Sequence, residues 1–386
     1  MEKASPHDPV ALTQALIRRP SVTPADAGAM DIVQGAVEAL GFTCRRMRFG
    51  EVENLYARIG EAAPNLCFAG HTDVVPVGDE AAWSRGPFEA ELADGAIHGR
   101  GAVDMKSAVA AFICAAAGAL SRGKPKGSIS LLITGDEEGL AEHGTKAVVA
   151  ALTAEGETID HCLVGEPTSY ATFGDMIKNG RRGSISAKIT VHGVQGHVAY
   201  PHRAANPLPV LIRLLAALQA QVLDKGYPGF PASNLEVTTI DVGNTAGNVI
   251  PARATAALNI RFNPAHTGAT LAVWLDAEAR RAADGFAGQV EMTTTIGGEP
   301  FLTPPGAFTG IVSNAVRAVT GVTPELSTTG GTSDARFIRR MCEVVEFGLV
   351  GASMHAVDES APTAQIKALA AVYERVIDDY FAASSP

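Results

Sequence analysis

Cysteine is scarce in this chain. There are five in 386 residues, Cys44, Cys67, Cys114, Cys162 and Cys342, and no two stand in Cys-x-x-Cys spacing. An odd, scattered set excludes a disulfide framework and a closed thiolate metal site. Cys67, Cys114 and Cys162 lie in apolar runs and read as reduced core residues, which points to a reducing compartment. Runs of Lys and Arg are also lacking. The 31 Lys and Arg are outnumbered by 41 Asp and Glu, for a formal net charge of −10, which argues against a nucleic-acid backbone or an anionic membrane as partner. An anionic substrate would need local Arg groups set against that field. Long apolar stretches are missing as well: the longest, over residues 108–120, is Ala-rich and too short to span a bilayer. The first residues, Met-Glu-Lys-Ala-Ser-Pro-His-Asp-Pro, carry no basic segment followed by an apolar one, so the expectation is a cytoplasmic protein. Internal repeats and low-complexity tracts are not seen.

What remains is ordinary for an α/β enzyme: 46% hydrophobic and 19% charged residues, in a chain long enough for two domains. Asp8-Pro9 is a helix start, an N-cap followed by Pro at the first helical position, and predicts a helix to residue 18; a second follows over 28–40. Short apolar strands are expected at 54–59, 65–69, 128–134 and 159–164, with helices over 107–120 and 145–152. Strands alternating with helices imply a largely parallel sheet, whose ligands gather at the carboxyl ends of the strands. The texture changes after Asn179-Gly180-Arg181-Arg182-Gly183. Residues 184–191 alternate strictly, Ile185, Ala187, Ile189 and Val191 against Ser184, Ser186, Lys188 and Thr190, as in an antiparallel sheet wet on one face. A helix over 206–222, strands at 235–242 and 254–262, a helix over 270–283 and a strand at 290–296 complete the order β-α-β-β-α-β of a ferredoxin-like split βαβ. The expectation is a discontinuous catalytic domain, residues 1–180 and 297–386, interrupted by a smaller inserted domain, residues 181–296. The first resumes with a helix over 307–319, a strand at 343–347 and a closing helix over 363–380.

Several of the apolar strands end in groups that bind metal. His71-Thr72-Asp73 pairs an imidazole with a carboxylate that could take its other N–H and fix its tautomer. Glu137-Glu138, after strand 128–134, are adjacent carboxylates that repel when buried unless a cation compensates. A cation gives them separate work: Glu138 binds it, and Glu137 stays free to take a proton from water. Glu166-Pro167 ends another strand. Asp104 stands between an irregular Gly-rich approach and the 107–120 helix, where the ordinary reading is a helix cap. His355 adds a second imidazole. Two His and three carboxylates without Cys suit zinc or a similar divalent ion in an open catalytic site. Gly99-Arg100-Gly101 lacks the full dinucleotide fingerprint, and Gly330-Gly331-Thr332-Ser333 could offer backbone N–H groups to an anion.

Gly70-His71-Thr72-Asp73-Val74-Val75-Pro76, Gly99-Arg100-Gly101-Ala102-Val103-Asp104-Met105-Lys106, Asp136-Glu137-Glu138-Gly139 and Gly165-Glu166-Pro167-Thr168 together resemble the dizinc M20 peptidase/deacylase family, over essentially the whole chain. The resemblance implies a fold of two domains, a catalytic α/β domain with a mainly parallel sheet and an inserted α+β dimerisation domain. It implies two Zn2+, with Co2+ able to substitute, held by His71 and Glu166 on one side and Glu138 and His355 on the other, with Asp104 bridging. Glu137 would be the general acid/base and Asp73 a further catalytic residue. His197, in Gln195-Gly196-His197-Val198-Ala199-Tyr200-Pro201, matches the residue that reaches the partner subunit's site in a homodimer and steadies the oxyanion. Arg181, Ser184, Asn248, Arg261, Gly331 and Thr332 match positions that hold the carboxylates and amine of a small acyl-amino-acid substrate. The match narrows to the branch that removes succinate from N-succinyl-LL-2,6-diaminopimelate. Acetylornithine deacetylation is the enzymatic alternative, and a catalytically silent metal-binding scaffold is the alternative of another class. Three positions depart from the family pattern: Ser107, Gly247 and Asp358.

Overall fold

The structure, a computed structural model, describes residues 5–383. The chain divides into two compact units. The first takes in the chain up to Asn179, then Thr303–Ser327 and Ser333 onward; the second takes in Gly180–Leu302 and Thr328–Thr332.

The first unit is built on an eight-stranded sheet, in the order Thr43–Phe49, Val52–Ile59, Ser128–Thr134, Asn65–His71, His161–Val164, Glu343–Glu346, Met176–Lys178 and Glu325–Ser327. Its middle four strands run parallel. Val52–Ile59 and its hairpin partner Thr43–Phe49 are antiparallel additions. Asn65–His71 and Ser128–Thr134 are buried along their whole length, because helices cover both faces. That is why their apolar residues run without a polar alternation. The helix Lys106–Ser121 is Ala-rich and almost wholly buried. It packs against Thr363–Ala383, the closing helix. Beneath them Phe68 stacks on Phe112 with ring centroids 4.4 Å apart, and the buried Tyr373 hydroxyl donates to the Phe347 carbonyl at 2.6 Å.

Periodicity does not find the Thr43–Phe49 strand. Its sequence, Thr-Cys-Arg-Arg-Met-Arg-Phe, keeps only Met47 buried, and it lies at the sheet edge with Arg45 and Arg46 paired to Glu155 and Asp31. Charged side chains on an edge strand suppress unwanted pairing and also erase the apolar alternation. The second unit does show that alternation. Its four strands run antiparallel in the order Asn234–Asp241, Arg253–Phe262, Gly183–His192 and Gln289–Gly298. Ile185, Ala187, Ile189 and Val191 turn inward onto the helices Pro207–Ala220 and Gly268–Ala282, in one core with Leu214, Ile260 and Leu275. Among the described residues, no helix is long and apolar enough to cross a membrane.

Candidate active site

The acidic and imidazole groups of the first unit reach one place because parallel strands end together. His71 is the last residue of its strand, Glu137 and Glu138 follow Ser128–Thr134, and Glu166 follows His161–Val164. Two glycines let Asp104 approach those ends. A Cβ at Gly70 would lie 2.5 Å from Met105 Cε, and one at Gly165 would lie 2.6 Å from the same atom. Met105 therefore seats against both strand ends and carries Asp104 with it. The Asp104 carboxylate does not cap the helix: Met105 is the N-cap, without a side-chain hydrogen bond. Asp104 Oδ1 lies 3.3 Å from His71 Nε2, and Oδ2 lies 3.3 Å from His355 Nε2. His355 Nε2 is 2.8 Å from Glu138 Oε1, and His71 Nε2 is 3.8 Å from Glu166 Oε1. His71, Asp104 and Glu138 offer ligand atoms within 4.8 Å of one another, as do His71, Glu137 and Glu166.

The wiring of Asp73 is not what a His-x-Asp pattern suggests. His71 Nδ1 is 2.9 Å from the Asp73 carbonyl oxygen and 3.6 Å from its carboxylate. The carboxylate instead accepts the N–H groups of Glu137 at 3.2 Å and Glu138 at 3.0 Å. Asp73 thus ties the imidazole, through its backbone, to the turn that carries both glutamates. Burial pushes the Asp73 carboxyl up to about 6, against those two hydrogen bonds.

The remaining charges show how the cluster is balanced. Burial opposes a charge on His71, but Asp104, Asp73 and Glu166 outweigh it and hold the imidazolium well above its usual range. Hydrogen bonds to Asp104 and Glu138 push His355 up to about 10. Burial disfavours the Asp104 carboxylate, yet the two imidazoles hold it well below the usual range. Burial, then Glu166 and Asp334, push Glu137 well above the ordinary carboxyl value. Asp334, in the Gly-rich segment after Ser327, is a contributor that sequence reading alone does not find; its only signal is being the last residue of the Gly330–Asp334 run. The acidic groups thus outnumber the two imidazoles that offset them. The donors fit divalent cations: nitrogen and oxygen only, with separations close to the edge of roughly 3.3 Å expected between ligands 2.0–2.1 Å from one tetrahedral ion. Asp104, with one oxygen toward each imidazole, has the disposition of a bridge between two such ions.

The second unit gathers the other sequence-selected residues in local groupings. Arg181 Nη1 donates to the Gly331 carbonyl at 3.1 Å, with Thr332 next in the chain. Ser184 stands opposite Arg261 in the sheet, and Asn259 Nδ2 donates to Ser184 Oγ at 3.1 Å. The Asn248 carbonyl accepts the Val198 N–H at 3.1 Å, beside His197, which pairs with Val249. His197 is exposed, and its Nδ1 accepts the Ala199 N–H at 3.1 Å, which leaves Nε2 carrying the proton of the neutral ring.

Comparison with known proteins finds relatives along nearly the whole chain. The profile of peptidase family M20/M25/M40 matches residues 67–379. A succinyl-diaminopimelate desuccinylase of Caulobacter sp. (strain K31) is 68% identical over 376 residues, covering 97% of each chain. One from Maricaulis maris is 58% identical over 374 residues, covering 97% of this chain and 96% of the relative. Among solved structures, an M20 family metallo-carboxypeptidase from Sulfolobus solfataricus superposes with a TM-score of 0.82 at 18% identity, covering 97% of this chain and 99% of that one. A dinuclear metal binding peptidase of the M20 family from Bacillus subtilis gives 0.72 at 15% identity, covering 97% and 98%.

Proposed function

The chain belongs to peptidase family M20/M25/M40, and from that premise we propose that it hydrolyses N-succinyl-LL-2,6-diaminopimelate to succinate and LL-2,6-diaminopimelate. The observation that carries the reading is Asp104, with an oxygen 3.3 Å from each of two imidazoles and Glu137 alongside. Relatives named for this reaction match nearly the full chain.

His71 and Glu166 would hold one Zn2+, Glu138 and His355 the other, with Asp104 shared and Co2+ an acceptable substitute. Bound there, two divalent cations supply Lewis acidity toward the amide carbonyl and lower the pKa of water. Glu137 takes the proton of the attacking water as the C–O bond forms, and gives it to the nitrogen as the amide C–N bond then breaks, so the amine leaves neutral. Asp73 keeps His71 and the Glu137 turn in register. Arg181 and Arg261 pair with substrate carboxylates, as a protein of net negative charge requires. Ser184, Asn248, Gly331 and Thr332 complete that recognition.

His197 acts from a second copy of the chain in a homodimer. Its Nε2–H is a donor suited to the developing oxyanion. The five free cysteines fit a cytoplasmic setting. The discriminating assay compares N-succinyl-LL-2,6-diaminopimelate with N-acetylornithine on the zinc-loaded chain. We expect kcat/KM to favour the succinyl substrate by a factor on the order of 10² or more. The reverse ranking would assign the chain to deacetylation.

A further inference from the structure

Arg100 and Glu359 are buried, 2% and 0% exposed, beside the metal cluster and outside its ligand set. Arg100 Nη1 donates to Glu359 Oε2 at 2.8 Å. Glu359 Oε1 accepts the N–H of Val103 at 2.8 Å and of Asp104 at 3.2 Å. On the other side, Arg100 Nη1 donates to the Ala356 carbonyl at 3.1 Å and Nη2 to the His355 carbonyl at 3.3 Å. One ion pair therefore grips the backbone of Asp104 and of His355 together. His355 needs such a grip. Its φ is +61°, a region sparsely populated by non-glycine residues that persists only when the surroundings impose it. The guanidinium is itself held over the Trp83 ring, 5.1 Å from its centroid. His71 is fixed separately, through the Asp73 carbonyl, and Glu166 by its own strand end.

We propose that the Arg100–Glu359 pair is a positioning device for one metal subsite, the one formed by Asp104, Glu138 and His355, and leaves the His71 and Glu166 side largely untouched. A buried ion pair is a weak source of stability compared with apolar residues of the same volume. Its orientation of two ligand backbones gives it a different use. The inference rests on the two-ion reading above.

The test is calorimetric titration of Zn2+ into the chelator-stripped full chain, with melting temperatures to verify folding. Wild type should show two binding steps, and His355→Ala should identify one by abolishing it. Glu359→Gln should weaken that same step by about 10–100-fold and the other, which shares only Asp104 with it, by clearly less. The double variant Arg100→Met/Glu359→Met removes both charges of the pair together; it should melt above Glu359→Gln and still show the weakened step. A purely structural pair would give the opposite, a double variant binding both ions as wild type does, and that result overturns the proposal. Equal weakening of both steps by Glu359→Gln overturns it too, as does failure of both variants to fold, which would assign the pair to the core. A wild-type chain binding fewer than two ions would instead remove the two-ion premise.

Discussion

At the scale of single residues, backbone groups set the cluster at the strand ends: the Asp73 carbonyl oxygen lies 2.9 Å from His71 Nδ1, and the Asp73 carboxylate accepts the N–H groups of Glu137 and Glu138. His71, Glu138 and Glu166 stand out because each follows an apolar run at a strand end. Sequence carries no record of where a carbonyl points, so the His71–Asp73 pairing through the backbone, and the two N–H groups that Asp73 accepts, needed coordinates. Arg100 and Glu359 sit inside conspicuous motifs, yet nothing in their spacing pairs them. Glu137 is the residue with the sharpest expectation. Glu137→Gln keeps its shape, leaves the ligands in place and removes the proton acceptor. Turnover should fall by roughly 10²–10⁴-fold with metal content unchanged. Near-normal kcat, or loss of an ion, would contradict its assignment as acid/base.

At the scale of elements, the long strands and helices were legible because burial imposes a period on them, while the edge strand Thr43–Phe49 and the short pairs were not. The loop between the helix Pro207–Ala220 and the strand Asn234–Asp241 has no period either, and is held by one carboxylate. Asp224 accepts from the Gly226 N–H at 2.7 Å, the Ser233 N–H at 3.2 Å and Asn263 Nδ2 at 2.7 Å. Burial works against its charge, but the Ser233 side chain and these bonds hold the carboxyl down at about 2, against an ordinary 3.8. A folded-state value below the unfolded one contributes stability that is fully present above the unfolded value and lost as pH falls toward the folded one. Asp224→Asn should therefore cost about 1–3 kcal/mol near neutral pH. The gap in melting temperature between the two proteins should narrow between about pH 4 and pH 2. A gap independent of pH would contradict this account of the loop.

At the scale of the whole molecule, the change from continuous apolar strands to alternating ones marked where one sheet type gives way to another, near Gly180. The order in which strands join was not legible: Ser128–Thr134 lies between Val52–Ile59 and Asn65–His71, a crossover that local sequence does not encode. The proposed role of His197 in a homodimer is itself a whole-molecule claim. Glu137→Gln and His197→Ala chains should each be nearly inactive alone. After subunit exchange, a mixture should recover roughly a quarter of wild-type activity, because half of the dimers are mixed and each of those holds one intact site. No recovery would remove His197 from a partner's site. The claim on which the rest depends is that a pair of cations resolves the crowding of His71, Asp104, Glu138, Glu166 and His355. The direct measurement is succinate release from N-succinyl-LL-2,6-diaminopimelate by the chelator-stripped chain as Zn2+ is added back. The account predicts no turnover in the stripped protein and full turnover only as the second equivalent binds. Undiminished hydrolysis without metal would contradict it.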